Sequence, residues 1–177
     1  MRKIFLLAML SLMTTCFLNA QNTVTTQGRV GYINSDSILV KVPEYLKAQK
    51  ELEDLSKQYR SKIDADLKKI ETLYQSYQSS KASLSQYQRA DKEAEIIRKE
   101  NELKELQKVY FGQDGYLQKK SEELLNPIKI KVQASIDKIA KNGKFMIIFD
   151  LAAIKGVVYN NPSDNLNSFI LKELGYN

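Results

Sequence analysis

The chain has no histidine and no tryptophan, and one cysteine among its 177 residues. The missing histidine excludes Ser-His-Asp and Cys-His catalytic arrangements and the usual zinc sites in one step. The cysteine, Cys16, lies in the N-terminal apolar stretch, so the chain beyond it carries no thiol and no disulfide. There are 3 prolines and 7 glycines, and no glycine falls between Gly31 and Gly112. A stretch with so few turn residues suits uninterrupted helix. No G-x-G-x-x-G, Walker loop, C-x-x-C or H-E-x-x-H occurs. Nucleotide, dinucleotide, redox and zinc-hydrolase chemistry therefore have no motif to stand on. No cofactor, metal or catalytic residue is implied, and the chain reads as a non-enzyme.

Charge of one sign is also lacking. The formal balance is +6, from 27 Lys+Arg against 21 Asp+Glu. Arg2 and Lys3 belong to the N-terminal leader, and without them the balance is +4. Residues 41–141 hold 21 basic and 17 acidic side chains. Glu93, Glu95, Glu100 and Glu102 sit among Lys and Arg at helical spacing, as surface ion pairs do. The mild positive field allows weak contact with an anionic membrane surface. It is too weak to suggest nucleic acid as a partner.

Met1 to Ala20 has the pattern of a secretory signal: Arg2-Lys3, an apolar run from Ile4 to Leu12, and Leu18-Asn19-Ala20 before Gln21. The run is too short to span a membrane. Thr15 precedes Cys16 where lipoprotein signals place Gly, Ala or Ser, which argues against a lipid anchor. The expectation is an exported, soluble protein cleaved near Ala20-Gln21, with residues 21–27 a disordered leader.

The organising stretch runs from Glu44 to Ala140. Leu52, Leu55, Tyr59, Ile63, Leu67, Ile70, Tyr74 and Tyr77 recur every three or four residues and make one apolar stripe on a helix. Ala90, Ala94, Ile97, Leu103, Leu106 and Tyr110 resume it. The serine-rich segment between them predicts a turn near Ser83, and Ser85 with Gln88 predicts a capping box. Two antiparallel helices result, each roughly 60 Å long. Gly112 and Gly115 interrupt the second as a hinge or a packing feature, and Pro127 predicts a kink.

The two ends supply the body. Arg29–Asn34 predicts a strand, and Phe145–Phe149 a strand apolar on both faces. Ile154–Tyr159 predicts a third strand. A last helix then presents Leu166, Phe169, Ile170 and Leu174 on one face. The fold class is α+β: a small β-rich oligomerisation body at 28–43 and 128–177, with a helical-hairpin, coiled-coil arm at 44–127. A body this small is marginal alone, so the strand residues Val30, Tyr32, Phe145, Ile147, Phe149 and Val157 are the candidate oligomerisation contacts. Tyr74, Tyr77, Tyr87, Tyr110 and Tyr116 lie on or beside the arm stripe. They serve either seam packing or a wettable apolar grip on flexible chains.

The order of these segments resembles the Skp/OmpH family of periplasmic chaperones. The likeness runs from Arg29-Val30-Gly31-Tyr32-Ile33-Asn34 through Pro43-Glu44-Tyr45-Leu46-Lys47-Ala48-Gln49 to Leu124-Leu125-Asn126-Pro127-Ile128 and Lys144-Phe145-Met146-Ile147-Ile148-Phe149-Asp150. The resemblance implies a jellyfish-like homotrimer with a β-rich body and three hairpin tentacles around a cavity. It implies a periplasmic holdase that keeps unfolded outer-membrane β-barrel proteins from aggregating without ATP. The competing reading of the residues is a coiled-coil spacer or docking protein of the cell envelope.

Overall fold

The computed structural model describes residues 28–176. The expected secretory signal, Cys16 and the expected leader lie outside the described residues. Arg29–Ile33 forms strand β1 and Phe145–Asp150 strand β2, and the two pair in parallel. Val30 faces Ile147 and Tyr32 faces Phe149, with an irregularity after Arg29. Parallel strands need a long crossover. Here the crossover is the whole arm, inserted between the two strands of one small sheet.

The junction of sheet and arm is closed by side-chain caps. Helix α1 (Ser35–Leu39) starts from Asn34, whose Oδ1 accepts from the Ser37 N–H at 2.8 Å. Asp150 Oδ1 accepts from the Ser35 N–H at 3.0 Å. Pro43 then opens α2 (Pro43–Ser80) at the first helical position. The core is one cluster of Ile33, Ile38, Val42, Ala48, Ile128, Val132, Leu166, Ile170 and Leu171. It reaches up between the arm's two roots, at Ala48 and Leu124.

Past the tip, α3 (Gln86–Phe111) and α4 (Tyr116–Asn142) return to the body. The second arm is therefore two helices and not one. Helix α4 runs through Pro127 to Asn142. Gly143 follows as the C-cap, with φ −84; the left-handed residue is Lys144, at φ 52. The glycine serves a different need. A Cβ there would lie 2.4 Å from the Phe145 ring.

The third expected strand is absent. Among the described residues Ile154–Tyr159 has no ladder partner, and Val158 is fully exposed. Its place beside β1 is taken by Asn165, which bridges to Tyr32, and Leu166 N–H donates to Tyr32 O at 2.9 Å. The last helix, α5 (Asn167–Glu173), buries Ile170 and Leu171 and leaves Phe169 exposed, so its inner face is turned from the predicted one. Gly175, at φ 89, follows its end.

Candidate functional site

The arm is the candidate site, and it changes character along its length. At the tip, residues Lys81–Ser85 turn the chain, and the predicted capping box forms in full. Ser85 Oγ accepts from the Gln88 N–H, and Gln88 Oε1 accepts from the Ser85 N–H at 2.9 Å. Just below, Tyr77 is 4 % exposed. Its hydroxyl donates to Glu93 across the hairpin, and Lys81 lies over its ring. The Glu93 hydrogen bond, with burial second, raises the Tyr77 pKa.

Lower down, the seam rests on Ile70, Ile96 and Leu103, all buried. Ile96 and not Ile97 is the inward residue, so the expected stripe is displaced at its start. Ala90, Ala94 and Ile97 face solvent. The charged faces are laced by intrahelical pairs: Lys57–Glu53, Lys69–Asp66, Arg98–Glu102, Lys99–Glu102 and Lys108–Glu105, all at 2.6–2.8 Å. Such exposed pairs contribute a few tenths of a kcal/mol each, so they serve the surface more than the fold.

At the break, Gly112 closes α3 and Gly115 opens α4. The Gly112 N–H donates to Lys108 O at 2.8 Å, and the Gly115 N–H to Gly112 O at 2.9 Å. A Cβ on Gly112 would lie 2.4 Å from Lys108 O, and one on Gly115 would lie 2.9 Å from Tyr110 O. Tight backbone approach explains both glycines. Opposite them, Tyr59 stacks on Tyr110 with centroids 4.1 Å apart, and Phe111 meets Tyr59 edge-on. Tyr116 tilts against Tyr110 at 6.3 Å. The arm is thus pinned by aromatics where its return helix is broken.

At the root, the Tyr176 hydroxyl donates to Glu44 Oε2 at 2.6 Å, and Lys131 Nζ lies 3.4 Å from both partners. The Tyr176 hydrogen bond, then the Glu44 backbone and Lys131, hold the Glu44 carboxyl below its ordinary range. Tyr176 is thereby tied to the first turn of α2.

Of the five arm tyrosines only Tyr110 and Tyr116 are brought together. Tyr77 is buried at the tip and Tyr110 is stacked in the break. Tyr74, Tyr87 and Tyr116 are exposed, Tyr87 at 76 %. In the body, Val30, Ile147, Phe149 and Val157 are exposed, while Tyr32 and Phe145 are half-buried. Strand β2 is therefore not covered on both faces within one chain. Met146, which sequence reasoning passed over, is more open than any of these, at 67 %. Its alternation with Ile147 was the available signal. Among the described residues no cluster of three or more Cys, Asp or Glu side chains could hold a metal, and no helix is long and apolar enough to cross a membrane.

The family model for outer membrane protein, OmpH-like, matches residues 29–174. The crystal structure of a candidate OmpH-like outer membrane chaperone from Caulobacter crescentus CB15 shares the fold, with a TM-score of 0.65 at 12 % identity over 83 % of each chain. No curated protein matches.

Proposed function

The chain belongs to the OmpH-like family, and from that premise we propose that it is a periplasmic, ATP-independent holdase for unfolded outer-membrane β-barrel proteins. The observation that carries the reading is the division of the molecule. A thin helical hairpin projects from a body whose own apolar strand surface is bare. The body's Val30, Met146, Ile147, Phe149, Val157 and Val158 are left open by a single chain. A homotrimer would bury them, with Ile154–Tyr159 supplying the strand one chain lacks, and would set three arms around a cavity. Weak contacts repeated on three arms gain affinity through effective concentration. Tyr74, Tyr87 and Tyr116 are the exposed rings available to a client.

The test is aggregation of a denatured β-barrel protein diluted into buffer with equimolar chaperone. Delayed aggregation is expected, and unchanged scattering would overturn the reading. Crosslinking along the arm in cells should trap many barrel proteins. One folded partner would instead favour an envelope spacer.

A further inference from the structure

The seam of the arm is sealed by aromatics at two levels, Tyr77 near the tip and the Tyr59–Tyr110 stack at the break. Between them it opens into a slot of about 490 Å³. Ile70 and Leu103 are its buried floor, and Leu73 and Leu106 its half-buried walls. The lips carry Asp66 and Lys69 on α2 and Lys99 and Glu102 on α3. Each acid pairs along its own helix, Lys69–Asp66 at 2.7 Å and Lys99–Glu102 at 2.8 Å. Among the described residues no ion pair crosses the mouth, so nothing ties it shut.

We propose that this slot is a socket for one large uncharged side chain, aromatic or branched aliphatic, on an unfolded polypeptide; the inference rests on the holdase reading. The volume is ample, since an apolar cavity of about 150 Å³ already admits benzene. The lips select against a charged occupant. The two lysines are balanced by two carboxylates, so the lips hold no net positive charge to draw an anionic headgroup. They select for a polypeptide because they offer donors and acceptors side by side. An extended backbone crossing the mouth has its N–H groups met by Asp66 and Glu102 and its carbonyls by Lys69 and Lys99. An acyl chain has nothing to offer those groups.

The experiment titrates the full mature chain with N-acetyl-phenylalaninamide, and separately with decyl phosphate, watching methyl resonances of Ile70, Leu73, Leu103 and Leu106. Saturable shifts at these methyls with the neutral amide are expected, and none with decyl phosphate. Shifts spread evenly over the protein, or decyl phosphate in the slot with the amide excluded, would overturn the socket. Leu73→Phe fills the slot from within. It should abolish the amide shifts and weaken binding of an unfolded barrel protein by roughly tenfold, the scale of a lost apolar pocket contact. Glu71→Phe, on an exposed part of α2 outside the slot, should change neither. Unchanged client affinity in a folded Leu73→Phe protein would overturn the proposal. If Leu73→Phe does not fold, the amide titration of the unaltered chain decides. Amide binding in a protein that fails to suppress aggregation would remove the holdase reading and leave the socket.

Discussion

Asp150 joins three segments through one oxygen. Its Oδ1 accepts from the Ser35 N–H at 3.0 Å and from the Ala152 N–H at 3.0 Å. Burial works to raise its pKa, but the hydrogen bonds from Ser35 and Ala152 outweigh it and hold the carboxyl below its ordinary value. A depressed carboxylate contributes stability that is complete above the unfolded pKa of about 3.9 and lost as pH falls through the folded value. Asp150→Asn should therefore cost about 1–2 kcal/mol at neutral pH. The gap to the parent should close in acid below the folded pKa. Thermal unfolding across pH measures both, and a gap that persists in acid would mean a packing effect. Gly143 makes a second point at this scale. Lys141-Asn142-Gly143 reads as a helix C-cap signal in the sequence, yet the reason for the glycine lies elsewhere. The space it leaves is for the Phe145 ring, a contact no local pattern encodes.

Among the elements, those with local causes were legible in the sequence. Ser85 and Gln88 fix the start of α3, Pro43 fixes the start of α2, and both depend only on near neighbours. The break at 112–115 was half legible. Its glycines were visible, but propensity alone leaves a weakened helix where the structure has two. What holds the break is Tyr59, far off in sequence and stacked on Tyr110. Since a Cβ on Gly112 would meet Lys108 O at 2.4 Å, Gly112→Ala should not simply add helix. It should displace Phe111 and loosen the stack. Faster amide exchange across residues 108–120 and a changed tyrosine near-ultraviolet signal are expected. Slower exchange would mean that the helix runs through instead. The missing third strand has a similar cause. Ile154–Tyr159 has strand composition, but a strand is defined by a partner, and within one chain β1 is already flanked by β2 and Asn165.

For the whole molecule, Ile147→Asp separates the assembled state from the lone chain. In one chain Ile147 is 43 % exposed, so an aspartate there would be tolerated. Buried against a second copy it would be an unpaired charge. Sedimentation should show the variant as monomer at concentrations where the parent forms the proposed trimer; a trimeric variant would place the interface elsewhere. Client affinity should fall with salt, as the screening length shrinks to about 3 Å at 1 M. It should then level off where the uncharged socket contact remains, and Leu73→Phe should remove that plateau. An affinity that rises with salt would mean an apolar grip along the whole arm. The crossover built from the arm also dictates timing. Ser35 meets Asp150 across 115 residues, while α2 and α3 meet across a short turn. A chain delivered N-terminus first can zip its hairpin while β2 is still in transit. The folded arm then shortens the loop that remains to be closed. Until Leu166, Ile170 and Leu171 arrive, β1 waits without a core. The segment that completes the body's core thus follows the arm and both strands in the chain, and the arm can fold before it.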